Sequence, residues 1–222
     1  MIIAISGEIS ASHAQMVRRA SEATPHEPLT VVIDSPGGPT VHALALADAI
    51  AAHPVLTAGR AVRRCDSGAI AALVACETRS ARLGTRFHFH QTARLRPPDG
   101  RLTAARLRQV AGELDVVDTG FRHRISAAIG CSVDELARLE ASETTLDTLA
   151  ALEIGLLTEI TGYAALGPAA ARRRAERVEA RAAAARPVRW TFRDFAMLKR
   201  AGMTEKPIGI SPRLLKSMLS ER

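Results

Sequence analysis

The sequence predicts an α/β domain with a largely parallel sheet flanked by helices, followed by a basic helical extension. Three observations carry this. Strand-like and helix-like segments alternate through residues 1–160, the pattern of a sheet built by crossover helices. The strand candidates are short apolar runs without alternation, such as "LTVVID" (29–34), typical of strands covered on both faces. Charge divides the chain: residues 1–164 carry 16 Lys/Arg against 18 Asp/Glu, whereas residues 165–222 carry 14 against 5. All the excess behind the net charge of +7 therefore lies in the second part. The expected division is a domain over 1–162 and an extension over 163–222.

The elements follow in order. "IIAI" (2–5) reads as a short buried strand, and Ser12 with Gln15 as a capping box opening a helix to about residue 22. "LTVVID" is the second strand. "PTVHALALADAIAAH" (39–53) is a helix with Pro39 near its first turn. "VLTA" (55–58) is a third strand, with "RRCDSG" in the loop after it. "GAIAALVAC" (68–76) is small and apolar all round, so it is a buried helix. "TRFHFHQ" (85–91) alternates, with Phe87 and Phe89 on one face and His88 and His90 on the other. Leu107, Val110, Leu114, Val117, Phe121 and Ile125 mark a long amphipathic helix from 103 to 129. Ser132 with Glu135 caps a short helix, Asp147 to Ile154 forms another stopped by Gly155, and "LLTEI" (156–160) closes the domain as a strand.

Composition excludes several classes. The chain has 222 residues, 47% of them apolar, enough for a core, but only 3% aromatic, so that core is aliphatic and Ala-rich. Three widely spaced cysteines (Cys65, Cys76 and Cys131) speak against a disulfide framework and for a reducing compartment. No Cys/His cluster has metal-ligand spacing, and no cofactor motif is present. "MIIAISGEIS" has neither the basic start of a signal peptide nor the length of a membrane span, so a cytoplasmic protein is expected.

In open parallel sheets, sites form at the carboxyl ends of strands. Two loops lie there: "DSPGG" (34–38) and "RRCDSG" (63–68). Ser67 directly precedes a buried helix, where a serine is ordinarily an N-cap. His90 ends an alternating strand, where histidine is more often a satisfied core residue. Gly37-Gly38 alone is a turn. Taken together they offer a hydroxyl, a base and bare N–H donors, the set acyl transfer needs. This order of motifs resembles the Clp protease proteolytic subunit and the wider crotonase-like superfamily. The matching pieces are "ISGEI" (5–9), "VVIDSPGG" (31–38), "SGAIAALVAC" (67–76), "FHFHQT" (87–92) and "IGCSVDELARLEASETTLDTLAALEIGLLTEI" (129–160).

The resemblance implies a repeated β-β-α spiral and a serine peptidase. Ser67 would be the nucleophile, His90 the base, and the N–H groups of Gly38 and Gly68 the oxyanion donors. The helix 103–129 would be the family's handle, interlocking subunits into homo-oligomeric rings around protein or peptide substrates. The apolar stripe of that helix then faces a partner subunit or only its own core. Two acids are open for the third place: Glu143, at the position the family fills with aspartate, and Asp147, whose ordinary role is to cap a helix.

The departures matter as well. Asp66 beside Ser67 brings negative charge near a developing oxyanion unless it turns away or pairs with Arg63 or Arg64. Cys65 reads as packing and His88 as structural. The family's N-terminal axial loops have no counterpart before "IIAI", so an AAA+ unfoldase partner is not implied. Other readings use the same residues. A catalytically weak or inactive scaffold on this fold would carry Asp66 and Glu143 as marks of decay. A nucleic-acid segment would use residues 165–222, where Trp190, Phe192 and Phe195 lie among arginines. The interruption of that run by Glu176 and Glu179 favours a solvated helix instead. Acyl-CoA chemistry needs the oxyanion donors but not a paired serine and histidine.

Overall fold

The computed structural model describes residues 1–93 and 103–161. The expected extension at 163–222, with its aromatic and basic residues, lies outside them. Five strands form one parallel sheet in the order β1-β2-β3-β4-β7: β1 (Ile2–Ser6), β2 (Leu29–Ser35), β3 (Thr57–Cys65), β4 (Thr78–Arg82) and β7 (Glu159–Thr161). A short antiparallel pair, β5 (Phe87–His88) and β6 (Thr145–Leu146), stands apart from it. The helices are α1 (Ala11–Ala23), α2 (Thr40–Ala51), α3 (Gly68–Val74), α4 (Ala104–Ile129), α5 (Val133–Ala141) and α6 (Thr148–Glu153). The α/β class and the parallel sheet are as the sequence predicts.

Several boundaries differ, for physical reasons. Ser10, not Ser12, caps α1, because its N–H donates to Nδ1 of His13 three residues on. The third strand is not 55–58. It starts at Thr57 and runs to Cys65, so Arg63, Arg64 and Cys65, half of the expected "RRCDSG" loop, are strand. The strand at 85–91 shrinks to Phe87–His88, and the strand at 156–160 starts only at Glu159. β4 ("TRSAR") has no apolar pattern to mark it in the sequence. It is an inner strand all the same, with Ser80 and Ala81 buried between β3 and β7. β2 is sealed on one face by Leu29, Val31, Ile33 and Ser35, while the other face is half-buried, so the sheet is not closed on both sides there.

The core is aliphatic, with Ile5, Leu29, Ile33, Leu46, Ile50, Ile70 and Leu73 almost fully enclosed. Gly59 lets α3 lie close on the sheet: a Cβ there would stand 2.8 Å from Leu73 Cδ1 and 3.1 Å from Cys76 Sγ. Ser132 and Asp147 cap α5 and α6, accepting the N–H groups of Glu135 (3.1 Å) and Ala150 (2.8 Å). The 26-residue α4 is about 39 Å long. Val110, Asp118, Ile125 and Ile129 are its buried positions, of which Ile125 and Ile129 at the C-terminal end join the main core, and Leu107 near its start is exposed.

Candidate active site

The ends of β2 and β3 meet at one edge of the sheet. Ser35 Oγ donates to the Gly7 carbonyl (2.6 Å) and accepts from the Gly37 N–H (3.1 Å), and Ile9 N–H donates to the Gly37 carbonyl (2.7 Å). These bonds clamp "SPGG" against "ISGEI". Asp66 N–H donates to the Ser35 carbonyl at 3.0 Å, so the segment before α3 is fastened to the same edge. Gly37, at φ 91°, then sits directly on the elbow: a Cβ there would lie 2.9 Å from both Ser67 Cβ and Gly68 N.

Ser67 occupies the N-cap position of α3 but does not cap it with its side chain. Its backbone is at φ 51° and ψ −124°, a region that residues with a Cβ avoid. A strained strand-to-helix turn of this kind lifts a hydroxyl clear of its surroundings. Its signal was absent from the sequence, where only the capping preference of serine was visible. The N–H groups of Gly38 and Gly68 both lack an acceptor among the described residues. They are neighbours, since a Cβ on Gly68 would stand 3.6 Å from Gly38 N. Two free donors at the head of a helix, beside a raised hydroxyl, suit a developing oxyanion.

The chain carrying His90 runs alongside. Cys65 N–H donates to the Arg86 carbonyl (2.9 Å) and Ser67 N–H to the His88 carbonyl (2.8 Å). Asp66 Oδ1 accepts the His88 N–H at 3.1 Å. The Asp66 carboxylate is thus spent on the strand beside it, and Arg63 pairs with Asp34 rather than with Asp66. Phe87 and Phe89 are buried, and His88 and His90 stack on the other face with ring centroids 5.7 Å apart. His88 is further held by Thr145 Oγ1 at 2.9 Å from its Nδ1.

The two acids separate. The ladder pairs Phe87 with Leu146 and His88 with Thr145, and Phe89 N–H donates to the Thr144 carbonyl at 2.8 Å. The pairing ends at Phe89 and Thr144, and Glu143 stands just before it, in the turn after α5, where its N–H donates to the Glu140 carbonyl at 3.1 Å. Asp147 lies beyond the other end and is occupied as the cap of α6. Glu143 is exposed, at φ 46°. The imidazole Nδ1 meets not Glu143 but the Gln91 carbonyl, at 2.7 Å. A carbonyl can only accept, so Nδ1 carries the hydrogen and Nε2 presents its lone pair. That main-chain orienting group was not foreseen from the sequence. The nearby cysteines are packing residues: burial pushes the Cys65 thiol well above its ordinary value and that of Cys76 up to about 12, so neither ionises near neutrality. Among the described residues no cluster of His, Cys, Asp and Glu could hold a metal ion, and no helix is long and apolar enough to cross a membrane.

No curated protein matches this chain. Among solved structures, a mutant ClpP1 from Listeria monocytogenes superposes with a TM-score of 0.63 at 22% identity, covering 73% of this chain and 91% of that one. At that identity the likeness speaks for the fold. The family model described as Clp protease matches residues 1–163, a span that contains every described residue and well over half of the sequence. On that match, the chain belongs to the Clp protease family.

Proposed function

We propose that this protein is a serine endopeptidase acting on protein or peptide substrates in a homo-oligomeric, ring-type assembly. The observation that supports it most directly is the strained elbow of Ser67, backed by the free N–H groups of Gly38 and Gly68 and bonded through its own N–H to the chain that carries His90. In this reading Ser67 Oγ attacks the scissile carbonyl while His90 Nε2 takes its proton. The carbonyl oxygen becomes the oxyanion and draws in the two glycine N–H groups. The C–N bond breaks as His90 returns the proton to the leaving amine, leaving an acyl group on Ser67. Water, deprotonated by the same imidazole, releases the acid and restores the hydroxyl. Gln91 fixes the tautomer, and Glu143, in the turn after α5, is the acid assigned to supply negative charge for the imidazolium. The exposed or half-buried members of the α4 stripe, Leu107, Leu114 and Val117, are the surface offered to a neighbouring subunit.

The competing reading, an inert scaffold, draws on one observation: Glu143 is exposed and not on the imidazole. A fluorophosphonate probe separates the two. Stoichiometric labelling of the full chain, absent in Ser67→Ala, is expected. A folded, assembled protein that stays unlabelled would establish the scaffold.

A further inference from the structure

Beside the His90 segment lies a buried ion cluster that the reaction above leaves unused. Asp118, on α4, is 5% exposed, and its Oδ1 accepts the N–H of Thr92 at 2.8 Å. One turn on, Arg122 Nη2 faces Asp118 Oδ2 at 3.6 Å, and Arg122 Nε donates to Glu140 Oε2 at 2.5 Å. Glu140, near the end of α5, is 3% exposed. Two carboxylates and one guanidinium are costly to bury, and apolar side chains of similar size would join two helices as well. Such a cluster has to be explained by what it holds in place.

It holds both flanks of the base. The chain turns after Glu140, whose carbonyl accepts the Glu143 N–H at 3.1 Å, while the Leu139 carbonyl accepts the Thr144 N–H at 2.9 Å. Thr144 in turn accepts the Phe89 N–H at 2.8 Å. A circuit therefore closes: Phe89 is tied to the turn after α5, α5 to Arg122, Arg122 to Asp118, and Asp118 to Thr92. His90 and Gln91, the imidazole and the carbonyl that fixes its tautomer, lie between the two ties. A contact that served only to join α4 to α5 would need Arg122 and Glu140 alone. The reach of Asp118 to the Thr92 N–H carries it on to the base.

We propose that the Asp118–Arg122–Glu140 cluster positions the His90–Gln91 segment for proton transfer, with Arg122 as the central positioning residue. Charge agrees with geometry. Burial raises the Glu140 carboxyl above its ordinary value, the Arg122 hydrogen bond and charge oppose this, and Asp118 adds to it. His90 lowers it slightly, which puts the imidazole within electrostatic reach of the cluster. The arrangement also couples the long helix to the site, so a shift of α4 would be felt at His90.

The inference rests on the peptidase reading, and its test keeps the two apart. Histidine-selective 15N spectra of the full chain, at a pH where the ring is neutral, report the His90 tautomer whether or not Ser67 reacts. Fluorophosphonate labelling and peptide hydrolysis report the chemistry. Wild type should show a single Nδ1–H form. Arg122→Met should mix the tautomers and slow labelling and kcat by about 10- to 100-fold, with KM within about twofold, because misplacement of a base costs rate rather than binding. Arg122→Lys, which keeps one charge contact, should recover part of the loss. If Arg122→Met does not fold, Asp118→Asn takes its place, since it keeps the Thr92 acceptor and loses the pull on Arg122. A folded variant with an unchanged tautomer and wild-type labelling overturns the proposal. A wild type that does not label, but whose tautomer is disturbed by the variants, keeps the positioning role and ends the peptidase reading.

Discussion

Ser67 pays for its conformation, and the cost can be measured. At φ 51° and ψ −124° a Cβ is disfavoured by ~1–3 kcal/mol, whereas glycine is at ease. Ser67→Gly and Ser67→Ala both remove the hydroxyl, but only the first relieves the backbone. Urea unfolding should find Ser67→Gly more stable than Ser67→Ala by about 1 kcal/mol, with both unlabelled by phosphonate; equal stabilities would mean that the elbow is unstrained. Gly38 is constrained in another way, since a Cβ there would come within 2.5 Å of the Ile9 carbonyl oxygen. Gly38→Ala should therefore destabilise the domain by ~1–3 kcal/mol as well as slow labelling. Glu143→Gln tests the division of labour at the base. With Gln91 holding Nδ1, labelling should fall no more than about tenfold, far short of the ~10⁴ that follows a wrong tautomer. At this scale the sequence told which types of residue could act, because serine, histidine and paired glycines carry their chemistry in their names. It could not tell that a main-chain carbonyl would orient the imidazole, since every residue has one.

Elements were legible where burial left a pattern and obscure where main-chain pairing alone decided. The helix 104–129 followed from its apolar spacing, 68–74 from being small and apolar all round, and 40–51 from a run opened by Pro39. β4 and the far end of β3 did not, because an arginine-rich run can serve as strand once its N–H and C=O groups find partners on both sides. Likewise the cluster of Asp118, Arg122 and Glu140 is spread over two helices, and only their packing brings it together. The fit of α3 on the sheet has a chemical signature of its own. Cys65 and Cys76 are buried on either side of that helix, and their thiols are held protonated by burial. In native protein at pH 8 neither should react with a thiol reagent on the time scale of the denatured control. Because the folded Cys76 value lies near 12 against an ordinary 9.0, the unfolded chain loses that proton first as pH rises. The unfolding free energy should then fall between about pH 9 and 12, and Cys76→Ala should flatten that fall relative to wild type. A fall that persists unchanged in Cys76→Ala would assign it to other groups.

For the whole molecule the open question is what covers α4. A helix about 39 Å long that meets the main core only in its last turns exposes much of its length. Its stripe of Leu107, Leu114, Val117 and Phe121 is exposed or half-buried in the single chain, too apolar to be an ordinary solvated face. The sequence left two readings of that stripe open, since periodicity shows that a face is apolar but not whose surface it meets. The fold narrows them, because the chain's own core reaches the helix chiefly at its C-terminal end. Leu107, 51% exposed, is the sharpest probe: a charge there disturbs little within one chain but would be desolvated between two. Light scattering on the wild-type protein should give a mass several times the 23.7 kDa of one chain. Leu107→Glu should lower that mass while leaving the circular dichroism spectrum unchanged, and it should reduce phosphonate labelling as well, because α4 carries Asp118 and Arg122 and hence the hold on His90. A Leu107→Glu protein that assembles fully would move the contact elsewhere. One that is monomeric yet labels at the wild-type rate would show that the long helix joins subunits without acting on the site.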